Sequence, residues 1–147
     1  RHIKLHGAMS NMASEDADMA YALYDAALSV APEATIMVLA ATAHQEAAEK
    51  LGCKWVGEIF ADRAYNDDAT LVDRKLPGAV IHDAAIAGPR IADMLEAGAI
   101  ITQSGKHIPT KIDTICLHGD TPEAIKIAKS TRQALHDRGI RLEKFSV

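Results

Sequence analysis

Short apolar runs alternate along the chain with longer stretches in which apolar residues recur every three or four positions. The runs at residues 3–6, 35–41, 55–61, 79–81 and 114–118 predict strands. The second is apolar from Ile36 to its end, as expected of a parallel strand covered on both faces. The first helical stretch has Ser14 as its cap and the acids Glu15, Asp16 and Asp18 in its first turn, where they suit the positive end of the helix dipole. Ala20, Leu23, Ala27 and Val30 form its buried face, and Pro32 stops it. Thr42 with Gln45 predicts a capping box for a second helix that closes at Gly52. A third carries Ile91, Met94 and Leu95 on one side and ends before Gly98. A fourth opens on Thr121 and Pro122 and runs to Arg138, with Gly139 as its stop. Residues 62–74 read as a polar loop. Residues 99–110, with a turn at Ser104-Gly105, read equally as a hairpin or as a strand with a long loop.

Repeated strand–helix–strand order predicts one α/β domain over residues 1–147, built on a mainly parallel sheet with helices over it. A doubly wound sheet and a (β/α) barrel, or part of one, fit the pattern equally well. The chain is short for a complete eight-strand barrel of ~250 residues. Composition sharpens this in one respect. Twenty-seven residues are Ala and six are aromatic, so the helices bury little area each and need a Val/Ile/Leu sheet to pack against.

The net charge of −4 gives no electrostatic reason to expect nucleic acid or an anionic membrane as a partner. No apolar run approaches the ~18 residues of a membrane span, and the opening residues have no signal-peptide character. Cys53 and Cys116 form no CxxC pair, which predicts reduced thiols and a cytoplasmic protein.

In parallel α/β folds the loops after the strands converge, so sites form at carboxyl ends of strands. Here those ends carry Lys4, His6 and Gly7; Glu58, Asp62 and Arg63; His82 and Asp83; and His118, Gly119 and Asp120. His6 and His118 read either as partly buried, backbone-bonded histidines or, with Asp120, as proton shuttles or metal ligands. No close-spaced ligand signature assigns a metal. Asp62-Arg63 reads as a surface ion pair, or Arg63 and Arg74 as a bidentate clamp on a substrate carboxylate. Asp67-Asp68 reads as a solvated turn, Cys116, within an apolar strand, as inert packing before nucleophile, and His44, His107 and His136 as surface groups. No GxGxxG or Walker A sequence marks a nucleotide site.

Three segments carry a resemblance. Lys4-Leu5-His6-Gly7-Ala8-Met9-Ser10-Asn11 resembles the K-P-H-G-A-L-Y-N motif of the lactam-utilisation (LamB/YcsF) family, the A subunit of bacterial 5-oxoprolinase. Glu58-Ile59-Phe60-Ala61-Asp62-Arg63-Ala64-Tyr65, with Leu71-Val72-Asp73-Arg74 after it, resembles that family's E-x-F-A-D-R-x-Y…G-x-L-x-x-R block. Ile115-Cys116-Leu117-His118-Gly119-Asp120-Thr121-Pro122 resembles I-C-V-H-G-D-x-P. Order and separations match from residue 3 to about 142, corresponding to the carboxyl-terminal portion of the family pattern. Leu5 replaces Pro, Ser10 replaces Tyr, and Ala69 stands where the family's loop has Gly, a change that strains the loop if positive φ is needed there.

The resemblance implies a (β/α) barrel of the glycoside hydrolase/deacetylase type with fewer than eight strands, here a partial barrel. It implies ATP-dependent opening of the 5-oxoproline lactam to L-glutamate, performed with B and C partner subunits. A half-barrel leaves unpaired edges, which favours self-association as a homo-oligomer or pairing with a missing partner. Among the matching positions, His6, Lys4, Asp62, His118 and Asp120 are the catalytic candidates. His118 with Asp120 would be the base, and Lys4 with His6 would stabilise negative charge. Arg63, Arg74, Asn11, Glu58 and Tyr65 are the substrate-binding candidates. The competing readings are a metal-dependent carbohydrate or amide deacetylase and a non-catalytic binding remnant.

Overall fold

The computed structural model describes residues 1–144. Four strands, β1 (His2–Lys4), β2 (Thr35–Leu39), β3 (Trp55–Phe60) and, late in the chain, β6 (Thr114–Cys116), form an all-parallel sheet in the order β1-β2-β3-β6. Neighbours in space follow chain order with no reversal, so the topological switch point of a doubly wound sheet is missing. The sheet curls as half of a barrel wall, which decides between the two architectures the pattern allowed.

Register and alternation divide the side chains between two faces. Ile3, Ile36, Val38, Ile59 and Ile115 point to the helical side, while Lys4, Glu58, Phe60 and Cys116 share the other, concave one. On the helical side α2 (Ala17–Val30) and α3 (Ala43–Leu51) cover Ile36 and Val38 with Ala20, Tyr24, Ala47 and Ala48. The helices α4 (Ala84–Ala97) and α5 (Ala124–Asp137) cover Ile59 through Ile91, Met94, Ile127 and Leu135. Small residues bring α4 and α5 very close. A Cβ at Gly88 would lie 2.4 Å from Ser130 Oγ and 2.6 Å from the Ser130 carbonyl carbon, and the Ser130 hydroxyl donates to the Ala84 carbonyl at 2.5 Å. Backbone cannot yield as a flexible side chain would, so Gly88→Ala should cost about 3 kcal/mol or more. Chemical denaturation checks this.

Several expected boundaries move for identifiable reasons. A first helix, α1 (Gly7–Ser14), precedes the expected one, and Ser14 is its last residue rather than a cap. Asp16 caps α2, accepting from the Met19 N–H at 2.9 Å. Thr42 does cap α3, while the Gln45 side chain accepts from the Ala41 N–H instead of closing the box on Thr42. The undecided segment is a hairpin of β4 (Ala99–Ile101) and β5 (His107–Pro109). Residues 79–81 form no strand; Val80 makes only an isolated bridge to Arg63. The last helix starts at Ala124, because residues 121–123 form a turn closed by the Ala124 N–H on the Thr121 carbonyl.

His44, expected at the surface, is buried. Its Nδ1 accepts from the Leu39 N–H at 3.4 Å and its Nε2–H donates to the Ser10 carbonyl at 3.0 Å, which fixes a neutral tautomer and ties α3 to α1 and the end of β2. Burial lowers its pKa from 6.5 to about 4. The unfolded chain therefore binds a proton that the fold rejects between these values. This contribution to stability is full above pH 6.5, disappears as pH falls towards 4, and amounts to roughly 3 kcal/mol. Acid titration of unfolding should show this slope, and His44→Gln should flatten it.

Candidate active site

The concave face gathers its polar groups at the carboxyl ends of the strands. Lys4 leaves the last position of β1 and pairs with Glu58 of β3 at 2.5 Å; the two side chains are 15% and 6% exposed. The same ammonium lies 3.3 Å from the Cys116 sulfur and 5.0 Å from the Phe60 ring centre. Phe60 stacks on His118, with ring centres 5.2 Å apart and planes 18° from parallel. Just past β3, Asp62 receives the His118 Nδ1–H at 2.7 and 2.9 Å. Because that carboxylate holds the proton on Nδ1, the other ring nitrogen, Nε2, is left as an acceptor, and it faces Cys116 Sγ at 3.9 Å. Burial, then the Glu58 charge, raise the Cys116 thiol pKa, while the Lys4 charge opposes them.

Beside this cluster lies a cleft of about 330 Å³ lined by Lys4, His6, Asn11, Arg63, Arg74 and His118 among others. A larger hollow of about 690 Å³ lies among α4, α5, the 140–144 segment and the other face of β6, where Leu95, Ile115, Leu117 and Leu135 line it. The smaller cleft is the chemically equipped one.

The structure thus brings Lys4, His6, Asn11, Glu58, Asp62, Arg63, Arg74 and His118 to one rim. His6 and Asn11 are exposed at the cleft, His6 as the N-terminal flank of α1. Arg63 is buried, and its guanidinium donates to the Ala79 and Val72 carbonyls at 3.3 and 2.6 Å, so it fastens the 62–80 loop rather than forming an exposed ion pair. Arg63 still lines the cleft with Arg74, but through two backbone-bonded nitrogens it is the fixed arm of the expected clamp. Arg74 is half exposed and is the guanidinium available to a ligand. Tyr65, expected to bind substrate, is fully buried; its hydroxyl accepts from the Phe60 N–H at 2.7 Å and supports the floor from behind. Asp120 is largely exposed, 4.0 Å from Arg74, and His118 takes Asp62 rather than Asp120 as its carboxylate. His82 and Asp83 lie outside the cluster: His82 is 3.6 Å from Glu123, and Asp83 caps α4 through the Ala85 N–H. Asp67, in the turn, accepts hydroxyls from Thr102 and Ser104. Ala69 does take positive φ, +69°, with its methyl fully buried.

Phe60 escapes the sequence reading, and Cys116 enters it as packing before nucleophile. Alternation carries a usable signal for both: Cys116 precedes His118 by two positions, and Phe60 stands midway between Glu58 and Asp62. Among the described residues no group of three His, Cys, Asp or Glu is placed to hold a metal ion, and the Lys4 ammonium lies 3.3 Å from the Cys116 sulfur.

A LamB/YcsF family profile matches residues 1–147. The chain belongs to the LamB/YcsF family. It is 63% identical over 145 residues to a protein from Ruegeria pomeroyi named as the A subunit of 5-oxoprolinase, covering 99% of this chain and 57% of that protein. A protein of the same name from Nitrobacter hamburgensis is 45% identical over 144 residues, covering 98% and 56%. The crystal structure of a lactam utilization protein from Thermus thermophilus superposes with a TM-score of 0.84 at 32% identity, covering 99% of this chain and 57% of that one. This LamB/YcsF chain therefore spans somewhat over half the length of the relatives it matches. No described helix is long and apolar enough to cross a membrane.

Proposed function

We propose that this LamB/YcsF chain is part of an ATP-dependent 5-oxoprolinase, opening the 5-oxoproline lactam to L-glutamate in a cytoplasmic complex with B and C subunits. The observation that carries the reading is the convergence of an ammonium, an Asp-oriented imidazole and a half-exposed guanidinium around one small cleft. A lactam with one carboxylate needs those three things: a cation for the carboxylate, a positive group where the carbonyl oxygen gains charge, and a group that moves protons. Arg74 takes the carboxylate, Lys4 with His6 faces the developing oxyanion, and His118 held by Asp62 transfers protons. Glu58 holds Lys4 in place. ATP is assigned to the assembled complex. Both 5-oxoprolinase relatives are named as one subunit of several, which supports assembly with other chains. β1 and β6 are the outer strands of the sheet, where the further length that the relatives carry would pair.

The test mixes the chain with candidate B and C subunits and follows glutamate formation and ATP cleavage. Glutamate that requires 5-oxoproline, ATP and all three chains is the expected result. ATP cleavage indifferent to 5-oxoproline would overturn the reading.

A further inference from the structure

Cys116 has the surroundings of a nucleophile. Its sulfur lies 3.9 Å from His118 Nε2, that imidazole is held through Nδ1 by Asp62 at 2.7 Å, and the Lys4 ammonium is 3.3 Å from the same sulfur. Nucleophile, base and orienting carboxylate form the chain of contacts by which thiol and hydroxyl enzymes activate their attacking atom, and separations before substrate binds are commonly loose. The thiol is half-buried, with its side chain on the concave face beside the cleft. The second cysteine supplies an internal contrast: Cys53 Sγ donates to the Ala48 carbonyl at 3.5 Å, a bond that engages the thiol without giving it a base.

We propose that Cys116 is the covalent nucleophile of this site, attacking an amide or ester carbonyl carbon to form a thioester on the chain. The inference deepens the lactam-opening function and rests on it for the identity of the substrate. In the first step the thiol proton passes to His118 Nε2 as the S–C bond forms, and the carbonyl pair moves onto oxygen beside Lys4. The pair returns, the ring C–N bond breaks, and the leaving nitrogen takes the proton from His118. The product is a glutamyl thioester with a free amine. Water then gives a proton to His118 and attacks the thioester carbon. The C–S bond breaks, the thiolate recovers the proton, and the new acid ionises to solvent. The sum at Cys116 is one water added to one amide bond, with Cys116 and His118 restored; the ATP cleaved by the assembled complex is a second, coupled hydrolysis that drives this sum and adds no atom to it. Burial keeps the resting group a thiol, so the thiolate forms as the substrate arrives, through His118, and is not stored.

The test treats the 147-residue chain with p-nitrophenyl acetate and maps the acyl group by peptide mass spectrometry. Cys116 should acylate at least tenfold faster than Cys53, and hydroxylamine should remove the group. Cys116→Ala should abolish this labelling and Cys53→Ala should leave it intact. His118→Asn should slow it at least tenfold, with unchanged circular dichroism showing that the fold persists. Equal acylation of the two cysteines, or a His118→Asn rate equal to the parent's, would overturn the proposal. In the assembled complex, undiminished glutamate formation by Cys116→Ala would sink the nucleophile and leave the lactam reading standing. Acylation of Cys116 with no turnover of 5-oxoproline would do the reverse.

Discussion

Replacing Asp62 by Asn is expected to lower 5-oxoproline turnover in the assembled complex by a factor on the order of 10³–10⁴ while leaving the fold in place. The carboxylate accepts from His118 Nδ1 through both oxygens, at 2.7 and 2.9 Å. An amide can present its NH₂ to that nitrogen instead, driving the imidazole proton to Nε2. The ring would then turn an N–H, rather than a lone pair, towards the cleft and Cys116, and could no longer accept a proton there. Stacking on Phe60 would still hold the ring plane, so the loss belongs to proton placement more than to position. Imidazole nitrogen chemical shifts report the tautomer directly. A variant with the parental tautomer and parental turnover would remove Asp62 from the mechanism.

The second large effect concerns stability. Lys4→Met should cost about 3–5 kcal/mol, because the Glu58 carboxylate, 6% exposed and paired with Lys4, would be left buried without its counter-charge. Methionine keeps much of the aliphatic volume, so packing loss is a minor part. The reciprocal test is the double variant Lys4→Met with Glu58→Gln, which removes both charges and should recover much of the loss. Denaturant unfolding of the two singles and the double closes the cycle. If the double variant is as unstable as the sum of the singles, the pair contributes no coupling and Lys4 is held by something else.

What can be read from the residues follows the physics that fixes each element. The β2 and β3 runs and the αL glycines Gly52 and Gly98 are specified locally, and they fall where the pattern puts them. Helix α1 escapes the pattern because Gly7 and Ser10 weaken any local helix signal, and the segment is held instead by His44 reaching across to the Ser10 carbonyl. Burial of His44 is equally a tertiary fact, invisible without knowing that β2 and α3 share an end. The site is legible as a set of strand ends, since parallel topology alone sends Lys4, Asp62 and His118 to one rim. The partnerships are not legible. Which carboxylate meets His118 depends on the path of the 62–80 loop, and the role of Arg63 is hidden because its carbonyl partners, Ala79 and Val72, belong to that same loop. The strand expected at residues 79–81 fails for a related cause: its backbone serves Arg63, Asp62 and Ala64 rather than a sheet neighbour.

We place the lactam in the Lys4–His118 cleft rather than on any other described surface of this chain. Nitrogen–proton NMR spectra of the labelled chain, recorded while 5-oxoproline is added, test it most directly. Shifts that saturate together at residues around His6, Arg74 and His118, with the α4–α5 hollow silent, are the predicted result. Saturating shifts at Leu95 and Leu135 with none at His118, or a spectrum that never responds, would contradict it.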